Sequence, residues 1–335
     1  MILAGDVGGT KTRLAFYILE NGKLKRQDIE RYESKAFSGL QDIIDSFLST
    51  RSFKVEAACF GVPGPVIEGH VKLPNLPWEL DEQDLMAHLK VKNLRLVNDL
   101  VATAAAVPHL DPSNLISLSA GKPQGKPRVF AVVAPGTGLG HAYLYHEDGK
   151  YHVIASEAGH MDFAPTNDTQ FALLKYLQEK YKRVSVERVV CGPGLKNIYD
   201  FLRDTGRGEE TEALRARFEK EDPGAVIANC GMERSADICV QALDIFISVL
   251  GSHAGNVVLM TLATGGLYLG GGIPPKIAKK LNDPLFFQNF TDKGRFVDVV
   301  GSTPINIIAD DHAAVVGAAS IASQLLGSIR IRTSS

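Results

Sequence analysis

The amino-terminal stretch of the chain alternates between apolar runs and a run of small residues. An apolar run at residues 2–4 meets the glycine-rich segment Gly5–Thr10, and a second apolar run ends at the turn signal Asn21-Gly22. This pattern predicts strands at about 2–7 and 12–19 that form a hairpin with a glycine-rich tip. A tight structural hairpin and a ligand-binding hairpin both fit the pattern at this point.

The chemistry of the tip favours a phosphate ligand. Glycines let backbone N–H groups approach phosphate oxygens, and Thr10 and Lys11 add a hydroxyl group and a positive charge. Asp6, directly before the tip, would be suited to orient a magnesium ion or its water shell. The segment is not a Walker A loop, because Thr10 stands where that pattern needs glycine and residues 13–19 read as a strand, not a helix. We therefore predict a phosphate-binding hairpin.

The same hydrophobic pattern returns in the middle of the chain. Residues 129–145 again read as an apolar strand, a Gly/Thr turn and an apolar strand. A dinucleotide-binding turn would need a helix directly after its glycines, whereas His141–Tyr145 reads as a strand. Two hairpins of this kind predict a duplicated unit that holds a ligand from both sides. Between them the pattern predicts strands at about 55–61 and 94–97, a helix at 101–107 and an exposed loop at 120–128, where the composition changes.

A third set of glycines lies near residue 270. Gly265-Gly266 and Gly270–Gly272 flank a short apolar segment at 267–269, which predicts a strand with bare backbone at both ends. Backbone of that kind can accept an adenine ring and a ribose. Each glycine cluster alone has a structural explanation, but three clusters at domain-scale spacing indicate a nucleotide.

Two further apolar segments predict buried helices. Residues 245–273 carry only His253 and Asn256 as strongly polar side chains, yet they include seven glycines. We therefore predict a buried helix at about 235–261 instead of a membrane span. A closing helix at about 313–326 follows Asp310-Asp311, which we expect as N-cap residues. Its small residues 317–320 would allow close packing against a neighbouring helix.

Composition narrows the class of protein. The chain has 335 residues, 45% hydrophobic and 22% charged, which predicts a globular protein of two domains. A net charge of −2 predicts no surface for nucleic acid or for an anionic membrane. The four cysteines form no Cys-x-x-Cys pair, which argues against a zinc site or a disulfide scaffold and favours reduced cytosolic thiols. The predicted strand begins within a few residues of Met1, so we expect no signal peptide.

Several polar residues are candidates for binding and catalysis on chemical grounds. Asp99 follows a predicted strand, so it is either the N-cap of the next helix or a carboxylate at the edge of a sheet that accepts a hydroxyl proton. Asn98 offers a donor and an acceptor that suit a sugar hydroxyl. Asn75, in a proline-braced loop before Trp78, could line the same pocket, although the tryptophan could equally serve packing.

Three later residues complete the candidate set. Glu157 and His160 are three residues apart and would project together from one tight turn. His160 alone is equally consistent with a packing or surface histidine. Glu187 could bind a ligand or could pair with Arg183 or Arg188 on a solvated face.

These motifs together resemble those of the bacterial glucokinases, which belong to the actin, Hsp70 and sugar-kinase superfamily. The resemblance covers essentially the whole chain. Gly5–Thr10 is similar to the first phosphate motif of the superfamily, Ala134–Gly140 to the second and Leu269–Pro274 to the adenosine motif. The sugar-contact patterns are more specific to glucokinases, and they are matched by Val97–Leu100, Ser156–Pro165 and Val186–Gly194.

The sequence departs from relatives in small ways. Ala158 stands where many glucokinases carry a second glycine, a change of a single methyl group. The zinc-binding cysteine cluster of the related repressor and open-reading-frame kinases is absent, and no DNA-binding domain precedes the first hairpin. Both features disfavour those subgroups.

The resemblance implies an α/β fold of two actin-like (ribonuclease H-like) domains with a nucleotide and sugar cleft between them. The small domain would comprise residues 1–110 joined by the closing helix at about 313–335, and the large domain residues 111–312. A cytoplasmic homodimer is implied as well.

The implied activity is that of an ATP-dependent glucokinase acting at the 6-hydroxyl of glucose. Asp99 would be the catalytic base, and glucose would be held by Asn98, Asp99, Glu157, His160, Glu187 and Asn75. Magnesium would arrive with ATP instead of at protein ligands of its own. The nucleotide would be bound by residues of the glycine motifs, namely Gly5, Asp6, Val7, Gly8, Gly9, Thr10, Lys11, Gly136, Thr137, Gly138, Gly265, Gly266 and Gly271.

Two other activities stay open from sequence alone. One is a broader hexose or N-acetylmannosamine kinase. The other is an actin-like or Hsp70-like ATPase that transfers no phosphate to sugar.

Overall fold

The computed structural model describes residues 1–122 and 128–327. Residues 123–127 of the predicted loop and residues 328–335 of the predicted closing helix lie outside the described residues. The strands are β1 (Ile2–Val7), β2 (Lys11–Glu20), β3 (Lys23–Glu33), β4 (Ala57–Val62), β5 (His70–Lys72), β6 (Glu79–Asp81), β7 (Leu94–Asn98), β8 (Leu115–Ser119), β9 (Val129–Pro135), β10 (Leu139–Glu147), β11 (Lys150–Ser156), β12 (Gly266–Leu269) and β13 (Ile305–Ile308).

Helices are interspersed with these strands, and α4 to α8 follow one another without a strand between them. They are α1 (Leu40–Ser49), α2 (Glu82–Leu89), α3 (Asp99–Ala106), α4 (Asp168–Tyr181), α5 (Gly192–Asp204), α6 (Glu212–Phe218), α7 (Pro223–Glu233), α8 (Asp237–Thr261), α9 (Ala278–Leu281), α10 (Pro284–Thr291), α11 (Val297–Gly301) and α12 (Ala313–Gly327). The predicted mixed α/β fold is confirmed.

The described residues divide into two compact units. The first unit contains Met1–Asn114, Tyr151–Ala155 and the chain from Asp310 onward, and the second contains Leu115–Lys150 and Ser156–Ala309. The predicted division at 110/111 and 312/313 did not assign Tyr151–Ala155 to the first unit, because nothing in the local sequence pattern distinguishes this segment from its neighbours.

The two sheets share the arrangement of five strands, and the second carries a sixth strand, β8, antiparallel to β13 at its edge. The first has the order β3-β2-β1-β4-β7, with β1 antiparallel to β2 and parallel to β4. The second has the order β11-β10-β9-β12-β13-β8, with β9 antiparallel to β10 and parallel to β12. In each sheet an antiparallel hairpin is therefore followed by parallel strands, which agrees with the duplicated unit that the repeated hairpin pattern predicts. A two-stranded ribbon of β5 and β6 stands apart from both.

Helix α8 lies in the core of the second unit. It is long and apolar enough to cross a membrane by length and composition, but 72% of its most apolar stretch is buried inside the protein. Its buried side chains, among them Phe246, Leu250 and Val257, join the largest hydrophobic cluster. The prediction of a buried helix at this position is confirmed.

Helix α12 packs tightly on the first unit. A Cβ atom on Gly317 would collide with the carbonyl oxygen of Ala102 in α3, so the two helix backbones touch. Val315, Ala318 and Ala319 are fully buried against β1 and β4. The expected close packing of small residues is confirmed. Of the two expected N-cap residues, Asp310 accepts from the backbone N–H of His312 at 2.8 Å.

Candidate active site

The first glycine-rich tip leaves backbone donors free. The N–H of Gly8 donates to the carbonyl oxygen of Lys11 at 2.9 Å and closes the turn. Among the described residues, no acceptor lies within hydrogen-bond reach of the backbone N–H groups of Gly9 and Thr10. Thr10 and Lys11 are exposed. Two free amides, a hydroxyl group and an ammonium group are suited to bind phosphate oxygens.

The second tip repeats this arrangement. The N–H of Gly136 donates to the carbonyl oxygen of Gly138 at 2.8 Å, and that of Leu139 donates to Oε2 of Glu187 at 2.9 Å. Within the described chain, the amides of Thr137 and Gly138 have no acceptor. Both predicted phosphate hairpins therefore present a pair of unpaired backbone donors.

A cavity of about 550 Å³ opens beside the second tip. This volume lies within the range of small-molecule sites. Its polar side chains are those of Thr137, Asp222, Asn229 and Lys276. It is lined by Gly136, Thr137, Gly192, Pro193, Leu195, Asp222, Gly224, Ala225, Ala228, Asn229, Gly272, Ile273, Lys276 and Ile277.

Most of these lining residues were missed by sequence reasoning. The start of α7 had one signal, since Asp222 precedes a proline and caps the helix by accepting from the N–H of Ala225 at 2.9 Å. That signal predicts a helix start and says nothing about a ligand. Asn229 and Lys276 carried no signal at all, because only the fold brings α7 beside the segment that follows β12.

The glycines near residue 270 fall at two different places. Gly271 has φ +78° and its Cβ position lies 2.5 Å from the carbonyl oxygen of Pro135, so this segment closely contacts the end of β9. Gly265, in contrast, donates to the carbonyl oxygen of Val129, and Gly266 pairs with Phe130 at the start of β9. The structure therefore does not bring Gly265 and Gly266 to the cavity, because they lie at the opposite end of the strand.

Two other predicted nucleotide residues are core residues of β1. A Cβ atom on Gly5 would lie 2.5 Å from the ring of Phe60, so this glycine makes room for core packing. Val7 is 1% exposed. Their side-chain positions face the interior, so any contact of Gly5 or Val7 with a nucleotide would be made by the backbone, and their role in nucleotide binding stays a prediction. Asp6 lies between them, with Oδ2 3.4 Å from Nη1 of Arg13, and burial raises the pKa of its carboxyl group although Arg13 opposes this.

Asn98 and Asp99 lie where β7 passes into α3. Asn98 is the N-cap: its Oδ1 accepts from the N–H of Leu100 at 2.9 Å, and its Nδ2 donates to the carbonyl oxygen of Gly64 at 3.2 Å. Asp99 is the first helical residue, and its Oδ1 also accepts from Leu100, at 2.8 Å. The cap is therefore Asn98, which leaves the second carboxylate oxygen of Asp99 for another partner.

The environment of Asp99 raises its pKa. Burial is the largest cause, and the negative charge of Asp6 adds to it, while the N–H of Leu100 and the amide of Asn98 act in the opposite direction. Together they raise the pKa of Asp99 to about 6. A carboxylate with a pKa close to the working pH is suited to general base catalysis.

Glu157, His160 and Glu187 come from two short 3-10 turns that pack together. Glu157 precedes the turn Ala158–His160, as expected, and Glu187 lies in the turn Val186–Arg188. The N–H of Val186 donates to the carbonyl oxygen of Met161 at 2.8 Å, which ties the two turns. The structure thus brings these three residues together within the second unit.

The surface ion pairs considered for Glu187 do not form. Arg183 pairs with Asp162 at 2.8 Å, and the guanidinium of Arg188 lies 4.3 Å from the ring centroid of Tyr181. The carboxylate of Glu187 contacts the second hairpin instead.

Asn75 lies beside the first hairpin. A Cβ atom on Gly9 would be 2.8 Å from Cβ of Asn75. Trp78 is 3% exposed and belongs to the core of the first unit, so its role is packing. Asn75 and Asp99 belong to the first unit, whereas Glu157, His160 and Glu187 belong to the second.

Comparison with known proteins decides the family. The family model described as Glucokinase matches residues 3–325. The chain is 39% identical to the glucokinase of Nostoc sp., over 97% of this chain and 99% of that protein. The chain belongs to the glucokinase family. The family identified from the motifs is therefore confirmed.

Solved glucokinase structures share the fold. A glucokinase from an Antarctic psychrotroph matches with a TM-score of 0.86 at 30% identity, covering 96% of this chain and 98% of that one. A glucokinase from Balamuthia mandrillaris, solved in complex with glucose, matches with a TM-score of 0.74 at 21% identity, covering 96% and 93%. The described sheets are thus those of a sugar-kinase fold found in glucokinases.

Proposed function

We propose a mechanism for the ATP-dependent phosphorylation of glucose, the activity of this glucokinase, in which Asp99 is the catalytic base. The raised pKa of Asp99 at the carboxyl end of β7 is the observation that carries the proposal. Asp99 accepts the proton of the glucose 6-hydroxyl as that oxygen attacks the γ-phosphorus of ATP, and ADP leaves. Glucose 6-phosphate and a protonated Asp99 are the immediate products, and the proton then passes to solvent.

The phosphates of ATP are bound by the two hairpins in this mechanism. The free amides of Gly9 and Thr10, and those of Thr137 and Gly138, donate to phosphate oxygens and stabilise the charge that develops during transfer. Lys11 adds a positive charge beside the first tip. The adenosine part occupies the 550 Å³ cavity, which adjoins the second tip.

Magnesium enters with the nucleotide. When bound with the nucleotide, it would neutralise phosphate charge. Asp6, beside the first tip, is the carboxylate of the described chain best placed to hold such a water molecule, because its charge is only partly balanced by Arg13 at 3.4 Å.

Glucose is held by the polar side chains that the family resemblance implies. Asn98 retains one lone pair on Oδ1 after its structural bonds, which suits a hydroxyl group. Glu157 and Glu187 accept from hydroxyl donors, and His160 donates or accepts according to its tautomer. Asn75 would contact the sugar beside the first hairpin.

We also propose a cytoplasmic homodimer with the small and large domains given above. These proposals are supported by the family resemblance and by four cysteines that are buried as free thiols.

A comparison of sugars tests the substrate assignment. Purified protein is assayed by coupled detection of ADP with glucose, fructose, galactose, N-acetylmannosamine or no sugar. We expect kcat/KM for glucose to exceed that for the other sugars by at least ~10²-fold, because misplaced hydroxyls leave buried polar groups unpaired. Equal rates with fructose, or undiminished ATP turnover without sugar, would contradict the glucose site.

A further inference from the structure

In each unit a glycine of the phosphate hairpin lies directly against a residue proposed to bind sugar. A Cβ atom on Gly138 would be 2.7 Å from Oε2 of Glu187, and one on Gly9 would be 2.8 Å from Cβ of Asn75. The residues proposed for the two substrates are therefore in contact within each unit, not only neighbours in sequence motifs.

The contact in the second unit includes a hydrogen bond to the hairpin. Oε2 of Glu187 accepts from the N–H of Leu139 at 2.9 Å, and Leu139 is the last residue of the tip, where β10 begins. On the other side of the tip, the N–H of Gly192 donates to the carbonyl oxygen of Gly136 at 2.8 Å. Cys191 links these two anchors, because its Sγ donates to the carbonyl oxygen of Glu187 at 2.9 Å. The segment 187–192 thus holds both sides of the tip that presents the free amides.

A carboxylate can accept several hydrogen bonds at once. Leu139 occupies one site on Oε2, and the remaining lone pairs of Glu187 are available to sugar hydroxyl groups. Hydroxyl donors on those lone pairs restrict the rotamers of the half-buried Glu187 side chain. A restricted side chain holds the Leu139 amide, and hence the tip, in one position. The conformational entropy of the tip is then lost when sugar binds. The nucleotide therefore binds a tip that is already ordered and does not have to offset that loss.

We propose that Glu187 is a positioning residue that couples the two substrates: glucose bound at Glu187 fixes the tip Gly136–Leu139 and tightens the binding of the nucleotide phosphates. The inference rests on the proposed role of Glu187 in sugar binding. Linkage requires the reciprocal effect, so bound nucleotide tightens glucose binding by the same factor.

The coupling is measured by calorimetric titration of the wild-type protein with the magnesium complex of AMPPNP, with and without saturating glucose. We expect glucose to lower the Kd of the nucleotide by about 5-fold or more, the lower end of typical coupling. The coupling ratio is the Kd of the nucleotide without glucose divided by its Kd with saturating glucose. In Glu187→Ala, which removes the acceptor for Leu139, we expect a coupling ratio near 1. Glu187→Gln keeps an acceptor oxygen and should give an intermediate ratio.

Glu157→Gln is the matched control. Glu157 is proposed to bind the same sugar but has no side-chain hydrogen bond to the hairpin in the described chain. We expect this variant to raise the Kd of glucose while the coupling ratio, measured at glucose concentrations that saturate the variant, stays at the wild-type value.

A second test changes the hairpin side of the contact between Gly138 and Glu187. Gly138→Ala places a methyl group against Oε2 of Glu187 and displaces the carboxylate, so we expect weaker glucose binding even without nucleotide. Gly136→Ala is its control, because a Cβ there has no neighbour closer than 3.9 Å. This pair also keeps the inference testable if Glu187→Ala does not fold.

The outcomes separate the inference from the proposed function. The coupling would be overturned by a coupling ratio of 1 in the wild-type protein or by an unchanged ratio in Glu187→Ala at saturating glucose. It would also be overturned if Gly138→Ala and Gly136→Ala bound glucose with the same affinity. An unchanged Kd of glucose in Glu187→Ala would instead refute the role of Glu187 in sugar binding, and the coupling would fall with it.

Discussion

Asp6 lies on β1 and Asp99 directly follows β7 of the same sheet, and the negative charge of Asp6 adds to burial in raising the pKa of Asp99. Asp6 pairs with Gly61 across β1 and β4, and Gly61 pairs with Val97, two residues before Asp99. A cation that arrives with the nucleotide beside Asp6 would offset this charge. We therefore expect the pKa of Asp99 to be highest before the nucleotide is bound.

Replacement of Asp99 by Asn should separate catalysis from stability. We expect kcat to fall by at least ~10²-fold, because the base is lost, while glucose still binds. The raised pKa means that ionised Asp99 destabilises the folded protein above pH 4, so the neutral amide should increase the free energy of unfolding, by up to about 3 kcal/mol. Coupled assays and urea unfolding measure both effects. Asp111→Asn, at an exposed position, is the control, and retention of more than a tenth of wild-type kcat would refute the assignment.

The pH dependence of the reaction should report the same carboxyl group. We expect kcat/KM for glucose to rise with pH through a single ionisation near pH 6, because Asp99 must be deprotonated to accept a proton. In Asp6→Asn the midpoint should shift to lower pH, since a negative charge that opposes ionisation is removed. A midpoint that moves upward or stays fixed in this variant would show that Asp6 does not act on the titrating group.

A bulky side chain in the cavity beside the second hairpin should block the nucleotide. Ala225 lines this cavity in α7. We expect Ala225→Phe to weaken the binding of magnesium AMPPNP by ~10-fold or more while glucose binding without nucleotide is unchanged, because the ring occupies the space proposed for adenosine. Ala225→Ser is the small control. Calorimetry that shows normal nucleotide affinity in the Phe variant would place adenosine elsewhere.

Acid should destabilise the second unit through a pair of buried histidines. His141 and His253 are 1% and 6% exposed, and their Nε2 atoms are 2.7 Å apart. Burial lowers their pKa values to about 3 and about 4, and the neighbouring imidazole lowers that of His141 further. Both rings stay neutral in the folded state but bind protons in the unfolded state below pH 6.5, so stability is lost as pH falls from 6.5 towards 4.

Urea unfolding at pH 7 and pH 5 measures this loss. We expect about 2 kcal/mol for each ring at pH 5 as an upper value. His253→Gln keeps a hydrogen-bonding side chain without an ionisable group and should reduce the pH dependence. An identical pH dependence in wild type and variant would assign the effect to other groups.

Gly317 should be among the positions least tolerant of a methyl group. Gly317→Ala forces α12 away from the carbonyl oxygen of Ala102, and we expect a loss of about 2 kcal/mol or more. Gly301→Ala, where the nearest atom is Cγ2 of Thr291 at 3.6 Å, is the control and should be nearly neutral. Equal stability of the two variants in thermal unfolding would contradict the close helix contact.

The sequence predicted those features that depend on a short stretch of neighbouring residues. Hairpins, strand ends and helix starts appear as short patterns, and for this reason the hairpin at Gly8–Lys11, the strand before Asn98 and the turn at Ala158–His160 could be located in advance. The local pattern did not indicate that Gly5 also makes room for the ring of Phe60, because that ring comes from another strand.

Features that depend on register or on distant elements could not be predicted. Gly265 and Gly271 are close in sequence, yet the register of β12 against β9 places them at opposite ends of a strand. The cavity lined by Asn229 and Lys276 exists only after helix α7 has packed beside the segment after β12. The bond from Leu139 to Glu187 joins residues 48 apart and has no signature in either segment.

The place of α12 has a consequence for how the protein is made. Ile2, Ala4, Ala57 and Cys59 form an apolar face of the first sheet that α12 covers with Val315, Ala318 and Ala319. On a ribosome this face is synthesised about 250 residues before α12 and stays uncovered until α12 has left the exit tunnel. The sheet that ends beside Asp99 is thus synthesised well before the helix that completes its unit.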